Sequence, residues 1–551
     1  MLEVYSSSFH NVSNWKRNFI ANLNITQFSV TSSVAKIVLD LNHLQNQTFW
    51  RNRPGAFAEV FINQKTHEIT MVRDHFGIEP FYYYFDKEKF IFGSNLPDIL
   101  RCLDTPPEPN LDRLIELLTR NRIYSDETFY KNIYSVEPGS ITKINAKGEK
   151  TKKSFWKLDS CADDIALPND KAYLDRFSEL LHESVAFNTS DCRDQVCGEL
   201  SGGIDSSAIL TTAAQQGLSY PLFMHTATPG SKQVDDSHLA KLLLNQLNHS
   251  QVSFINADQF DPIKEFQYCS EQFAGAAPYI LFMLSQNINR AVAASGKRIL
   301  LSGAGGDESA SSHASNTPFF RSFYQQKGYH ATWKALSRQY QREHYSPSFL
   351  KRVVALIKLA HPNAYDFLAE RMGAEGLVRK LLRKQQINDA YFYRFRKHTL
   401  RELEWDRLQG SESHPLKMRV EYSSVLAKSM GFNFRYPLLY PKLVEFCFHL
   451  PLEQKRRGDT GRYLIRQYLK KSGVSEAIYQ KQQKVGGIIP GTLDKCYRWL
   501  ESGKFDAHFS DLPLMKYADQ NTLHKELSSK TFMYMLKHYH GMKLSDSAIN
   551  R

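Results

Sequence analysis

Two apolar runs in this chain end directly in glycine-rich turns, QVCGELSGG (Gln195–Gly203) and RILLSGAGG (Arg298–Gly306). A buried strand followed at once by such a turn, with helical patterns like DSHLAKLLLNQLN and LFMLSQNINRAVAAS between the two, is the order of an open, largely parallel α/β sheet. The first turn continues as ELSGGIDSSAIL (Glu199–Leu210). Strand, Gly-Gly turn and helix start together place several backbone N–H groups at a positive helix end, where phosphates bind. Asp205 would repel a phosphate unless a cation lay between them, so it implies Mg²⁺, which commonly bridges carboxylate and phosphate oxygens. The lysine of a Walker-type loop is missing, which points to a different nucleotide loop. A Ser/Gly-rich turn alone would serve equally as a helix cap. The second turn supplies Asp307, a carboxylate placed to reach the same metal, and two strand ends with two acids make one cleft.

Upstream of about residue 160 the pattern differs: AFAEVFI, EITMVRD, PFYYYF and KFIFGS are short β-like runs separated by turn residues, as in antiparallel sheets. From about 315 to 430 the chain is mostly helical in pattern. With 551 residues, 42% of them hydrophobic, it is long enough for two or three cored domains, which excludes disorder as the main state. There is no run of about 18 uncharged apolar residues, and the start MLEVYSSSFHNVSNW lacks the basic end and apolar middle of a secretory signal, so no membrane insertion and a cytoplasmic location are expected. The seven Cys (102, 161, 192, 197, 269, 447 and 496) are scattered, and the pair Cys192 and Cys197 has no partner pair or nearby His to make a zinc site, so reduced structural thiols are expected. The net charge of +13 favours an anionic partner, whether ATP, an acidic peptide or nucleic acid, and does not choose among them.

SGGIDSS resembles the pyrophosphate-loop (PP-loop) signature of ATP pyrophosphatases, which cleave ATP to AMP and pyrophosphate. Its pairing with LSGAGGDE is similar to that of the asparagine synthetase and β-lactam synthetase superfamily. The likeness extends to RYPLLYPKLVEFCFHLP (Arg435–Pro451), to GRYLIRQYLKKSGVSEAIYQKQQKVGGIIPG, and, near the amino terminus, to MVRDHFGIEPFYYYF with FIFGSNLPDIL, which resembles the second half of a glutaminase domain. The resemblance implies a degenerate Ntn-glutaminase-like antiparallel β sandwich with helices over residues 1–165. It implies a PP-loop ATP pyrophosphatase-type parallel α/β domain with helical additions over 166–551. It further implies ATP contacts at Leu200, Ser201, Gly202, Gly203, Asp205, Ser206, Ser207, Thr226, Ser302 and Gly303, Mg²⁺ on Asp205 and Asp307, and a catalytic lysine at Lys484 that stabilises charge on the phosphates and the tetrahedral intermediate. A solvated surface role is the alternative for Lys484, since YQKQQK is polar.

The departures narrow the resemblance. A working glutaminase of this type needs Cys after the initiator Met; this chain has Leu2, and segments like RLxIVD and NGExYN have no counterpart before PGAFAEVF. Glutamine hydrolysis is therefore not expected, and another amine must attack. The Tyr of GYGSD and the Glu before RxPFLD, which serve the attacking amine in β-lactam synthetases, are replaced by Ala304 and Asn433. Lasso-peptide macrolactam synthetases look closer, since they commonly show GxGGD, as in Gly303–Asp307, and commonly lack that Glu. The expected activity is ATP-dependent macrolactam formation: an Asp or Glu side chain of a precursor peptide is adenylated and then attacked by the peptide's N-terminal amine. A leader peptidase and a leader-binding protein are the implied partners. An asparagine-synthetase-like enzyme using ammonia or a small amine is the alternative. A tRNA-modifying PP-loop enzyme has only the net charge behind it, and no nucleic-acid partner is expected.

Three weaker features complete the reading. The aromatic and basic residues of 315–430, among them Phe319, Phe320, Phe323, Tyr324, Lys351, Arg352, Arg379 and Arg394, fit either core and solvated helix faces or a peptide groove. His225, after an apolar strand, fits a structural role better than an acid–base one. Asp235 and Asp236 fit a helix cap.

Overall fold

The computed structural model describes residues 3–4, 27–31 and 36–38, most of 47–110, 126–226 and 236–310, residues 316–342, 356 and 359–360, and most of 399–481. The amino-terminal strands are β1 (Glu3–Val4), β2 (Gln27–Thr31), β3 (Lys36–Val38), β4 (Ala58–Ile62), β5 (Ile69–Arg73), β6 (Tyr82–Phe85), β7 (Lys89–Gly93), β8 (Ile133–Ser135), β9 (Ser140–Ile144) and β10 (Lys150–Ser154). They form a six-stranded sheet, β1-β3-β4-β5-β9-β10, and a four-stranded one, β2-β7-β6-β8. Alternation sorts their side chains: Val60, Met71, Tyr83, Phe90, Phe92 and Ile144 share one core, whereas Phe61, Val72 and Ile141 belong to another.

The sheets are mixed, which corrects the antiparallel expectation. Neighbouring runs do pair as antiparallel hairpins, β4 with β5 and β6 with β7, but β3 lies parallel to β4 and β2 parallel to β7. Period-two patterning states which face is buried and leaves the direction of a distant partner open.

The segment RDHFGIEP after β5 is a latch. The Asp74 carboxylate accepts from the backbone N–H groups of Phe76, Ile78 and Glu79 at 3.1, 3.0 and 2.8 Å, fixing a tight turn. The buried Arg73 guanidinium donates to the carbonyls of Glu79, Val136 and Gly77 and pairs with Glu421 at 2.8 Å, tying this sheet to a helix of the carboxyl-terminal half. Gly77 has φ +71°, and a Cβ there would lie 2.8 Å from Pro138, so only glycine fits.

His75 in the same turn is buried, its Nε2 against the Arg51 carbonyl at 2.8 Å and its ring 5.1 Å from Trp156. Burial pushes its pKa down from 6.5 to about 4. The native ring is therefore neutral where the unfolded ring begins to protonate. Its contribution is complete above about pH 6.5, falls as pH drops toward 4, and is constant below that. Urea unfolding should show a loss of about 3 kcal/mol across that window, and His75→Gln should flatten it; an unchanged slope would place the acid sensitivity elsewhere.

The carboxyl-terminal sheet is parallel throughout: β11 (Val196–Glu199), β12 (Leu222–Thr226), β13 (Val252–Asn256), β14 (Ile299–Leu301) and β15 (Asn433–Arg435), in the order β13-β12-β11-β14-β15. Helices α1 (Asp170–Thr189), α2 (Ile204–Gln215), α3 (Ser237–Gln246), α4 (Ile280–Ala294), α5 (Asn316–Arg342), α6 (His414–Ser429), α7 (Pro441–Phe448) and α8 (Tyr463–Lys471) surround it. Phe177, Leu181, Ala208, Leu222, Leu301, Leu443 and Leu469 pack α1, α2, α7 and α8 on one face. Ile288, Val420, Phe223, Leu300 and Phe434 pack α4 and α6 on the other, in a core continuous with Phe61, Val72 and Trp156 of the amino-terminal half. The chain winds outward from β11 to β13, then returns to place β14 on the other side of β11. The β11/β14 boundary is thus the switch point where open α/β sheets leave a crevice at their carboxyl ends.

Phe319 and Phe320 lie in a buried cluster with Leu336, Leu400 and Leu452, under the Arg456 guanidinium, so these two aromatics are core. Lys351, Arg352, Arg379 and Arg394 fall outside the described residues. Cys161, Cys197 and Cys269 are free thiols; burial pushes Cys197 up to about 12, which keeps it protonated. Among the described residues no group of three or more His, Cys, Asp or Glu is arranged to hold a metal, and no helix is long and apolar enough to cross a membrane.

Candidate functional site

The backbone ladder runs one residue past β11, where Leu200 N–H donates to the Phe223 carbonyl at 2.9 Å, and the chain then turns. Gly202 has φ +70°, and a Cβ there would sit 2.6 Å from the Asp236 carbonyl oxygen. Gly203 caps α2 from an extended conformation. The turn is locked from inside: Gly203 N–H donates to Ser201 Oγ at 3.3 Å, and Ser201 N–H donates to Ser206 Oγ at 3.2 Å. Asp205 then stands in the first turn of α2, beside its positive end.

The turn after β14 interlocks with the first one. A Cβ on Gly303 would lie 3.1 Å from Ser206 N, and one on Gly306 would lie 2.3 Å from Asp205 Oδ1. The glycines of the second turn thereby make room for the carboxylate of the first. Asp307 follows in a π-helical turn, Gly306–Ala310.

One cleft is lined by Ser201, Gly203, Asp205, Ser206, Ser302, Gly303 and Asp307, all singled out in the sequence, together with Glu199, Ala304, Glu308, Arg419, Arg462, Arg466 and Lys481. Leu200 and Ser207 are buried behind it, Gly202 shapes the turn, and Thr226 ends β12. Lys484 lies outside the described residues, as do Leu2 and Asp235. Asn433 is separated from Ala304: it lines a second cavity of about 950 Å³ between the two halves of the chain, with Phe57, Glu79, Lys428 and Tyr436.

The basic side chains are what the sequence pattern missed. Arg462 is almost fully buried, with one guanidinium nitrogen on Asp205 and another 3.1 Å from Asp307. Arg466, one helical turn on, donates to the carbonyls of Gly461 at 2.8 Å and Tyr479 at 2.5 Å; burial, with Arg462 beside it, lowers its pKa to about 10. Lys481 pairs with Asp236. Arg462 is the left-handed N-cap residue of α8, and Arg466 stands in the first turn of that helix. His225 is half-buried near Glu199, desolvation lowers its pKa, and Ser302 Oγ–H donates to Glu199 at 2.8 Å. Two carboxylates converging on one buried cation form a set that also suits a divalent ion completed by phosphate oxygens. Chemically, the cleft can hold an anion and a cation side by side.

The sequence is similar to those of known proteins. The asparagine synthase family model matches residues 176–533, and the glutamine amidotransferase domain model matches residues 4–156. The putative glutamine-hydrolyzing asparagine synthetase 2 of Methanocaldococcus jannaschii is 26% identical over 314 residues, 55% of this chain and 57% of the relative. Glutamine-hydrolyzing asparagine synthetase 2 of Bacillus subtilis is 25% identical over 303 residues, 50% of this chain and 39% of the relative. The chain spans about half the length of these relatives. Among solved structures, NMN synthetase from Francisella tularensis aligns over 45% of this chain and 96% of its own at 15% identity, with a TM-score of 0.20, too low to bear on the fold.

Proposed function

We propose, from the premise that this chain belongs to the asparagine synthase family, that it is an ATP-dependent amide-bond synthetase that closes a ring on a peptide. The observation that carries the reading is the meeting of Asp205 and Asp307 at the switch point, one from each glycine-rich turn, in a cleft that also presents Arg419, Arg466 and Lys481. On this reading the SGGIDSS turn is a PP-loop within a domain running from about residue 166, and ATP lies with its phosphates against Ser201–Ser206. Asp205 and Asp307 would hold a Mg²⁺ ion, which would supply charge neutralisation to the phosphates and make the α-phosphorus more open to attack. The chain's own groups orient the triphosphate so that a substrate carboxylate attacks in line, forming an acyl-adenylate and releasing pyrophosphate. Arg466 and Lys481 offset the growing charge, and Lys484 is placed by resemblance to stabilise the tetrahedral intermediate as AMP departs.

The amine is taken to be the peptide's own N terminus, because the positions that would carry a Tyr and a Glu for it are Ala304 and Asn433. An α-amine with an ordinary pKa of about 7.7–8.0 is partly neutral near pH 7.5 and needs no dedicated base. The partners are then a precursor peptide, a leader peptidase and a leader-binding protein. A second reading, amide synthesis from ammonia or a small amine, is favoured by the glutamine-hydrolyzing relatives and by the amidotransferase match over residues 4–156.

Incubating a linear precursor trimmed of its leader with protein, ATP and Mg²⁺ separates the two. Loss of one water from the peptide, together with AMP, supports ring closure; incorporation of ammonia alone supports the second reading. Lys484→Ala should lose product formation by about 10²–10³-fold with ATP binding retained; a wild-type rate would remove Lys484 from the site.

A further inference from the structure

Arg462 sits where a metal shared by Asp205 and Asp307 would sit. It caps α8 in a left-handed conformation, φ 61° and ψ 39°, which a non-glycine side chain rarely adopts. That conformation delivers the guanidinium into the cleft, where its Nη2 pairs with Asp205 and its Nη1 lies 3.1 Å from Asp307. The segment is further held by Arg466, whose Nε and Nη1 donate to the Gly461 and Tyr479 carbonyls.

Two carboxylates held this close in a largely buried cleft repel each other unless a cation lies between them. Mg²⁺ demands near-octahedral oxygen donors at roughly 2.0–2.1 Å and cannot share the same lone pairs with a guanidinium. With its nitrogens on Oδ1 of both carboxylates, Arg462 competes with a metal for the same negative charges, and a second cation beside the guanidinium is disfavoured. A guanidinium displaced from carboxylates has an equivalent partner in phosphate, whose oxygens it meets with the same forked geometry.

We infer that Arg462 is a positioning residue: it is the resident cation that holds Asp205 and Asp307 together in the nucleotide-free protein and passes to the triphosphate when Mg–ATP enters, so that metal binds tightly only with nucleotide. This rests on the ATP and Mg²⁺ reading above and adds an order of events to it. No covalent step is involved; one cation replaces another on the same carboxylates.

Mn²⁺ titration followed by electron paramagnetic resonance tests it on the full chain, with and without α,β-methylene-ATP and with no peptide present. Wild-type protein should bind Mn²⁺ weakly alone and roughly tenfold or more tightly with the nucleotide. Arg462→Met should gain roughly tenfold in Mn²⁺ affinity without nucleotide, lose that gain when Asp205→Asn is added, and bind the nucleotide more weakly. Arg462→Lys, which keeps a charge, should fall between the two, and the wild-type comparison stands even if Arg462→Met fails to fold. Equally tight Mn²⁺ binding to wild-type protein with and without nucleotide would overturn the role of Arg462 while leaving the ATP and Mg²⁺ reading intact. No Mn²⁺ binding to any form, even with nucleotide, would overturn that reading itself and the inference with it.

Discussion

Asp205→Asn is expected to lower pyrophosphate release by at least about 10³-fold without unfolding the protein. The substitution keeps the size and polarity of a first-turn residue of α2, and Asp205 does not contribute to the buried core of the sheet. What it removes is one of two negative charges that meet in the cleft. On the proposed reading, a divalent ion held by both acids would keep only Asp307, and attack at phosphorus would lose charge compensation. Asp307→Asn should fail in the same way, since the two acids act as a unit. A pyrophosphate-coupled assay beside a circular dichroism spectrum checks both claims. Substantial turnover in either variant would mean that the paired acids serve Arg462 and not the reaction.

Gly306→Ala is expected to cost about 10²-fold although it touches no charge. A Cβ at this position would stand 2.3 Å from Asp205 Oδ1, 2.5 Å from its Cγ and 2.9 Å from a methyl of Leu438, which is fully buried. The short Asp205 side chain is the part able to yield, so the added methyl moves the carboxylate off its partners. Thermal stability should change little by comparison, because the displaced group is polar and faces the cleft. Turnover at the wild-type rate would show that the interlock of the two turns is looser than the distances imply.

The sequence carried the site further than it carried the fold around it. SGGIDSS and GAGGDE each have their acid at a fixed offset from a strand end, so the convergence of Asp205 and Asp307 follows from two strands being neighbours, and β11 and β14 are. Arg462 was harder to see because an arginine among many basic residues has no local signature; its place depends on a left-handed residue at the start of α8 and on α8 packing against α1 and α2. Strand β15 escaped because three residues, Asn433–Arg435, are too few to show alternation, and its partner β14 lies more than a hundred residues upstream. The mixed sheets escaped for a related reason: β3 and β2 find parallel partners through tertiary packing that period-two patterning does not encode. The separation of Ala304 from Asn433 is likewise a matter of topology, since β15 enters the sheet at Asn433, at the end remote from the turn that holds Ala304.

Attack of a substrate carboxylate on the α-phosphorus of ATP in this cleft can be measured directly by isotope transfer. A linear precursor whose reacting Asp or Glu carboxylate is labelled with ¹⁸O is incubated with protein, ATP and Mg²⁺, and the nucleotide products are analysed by mass spectrometry. One ¹⁸O atom should appear in AMP, with unlabelled pyrophosphate, because the carboxylate oxygen that bonds to phosphorus leaves with AMP when the amine attacks. ADP as the nucleotide product, or AMP without label, would show that no acyl-adenylate forms.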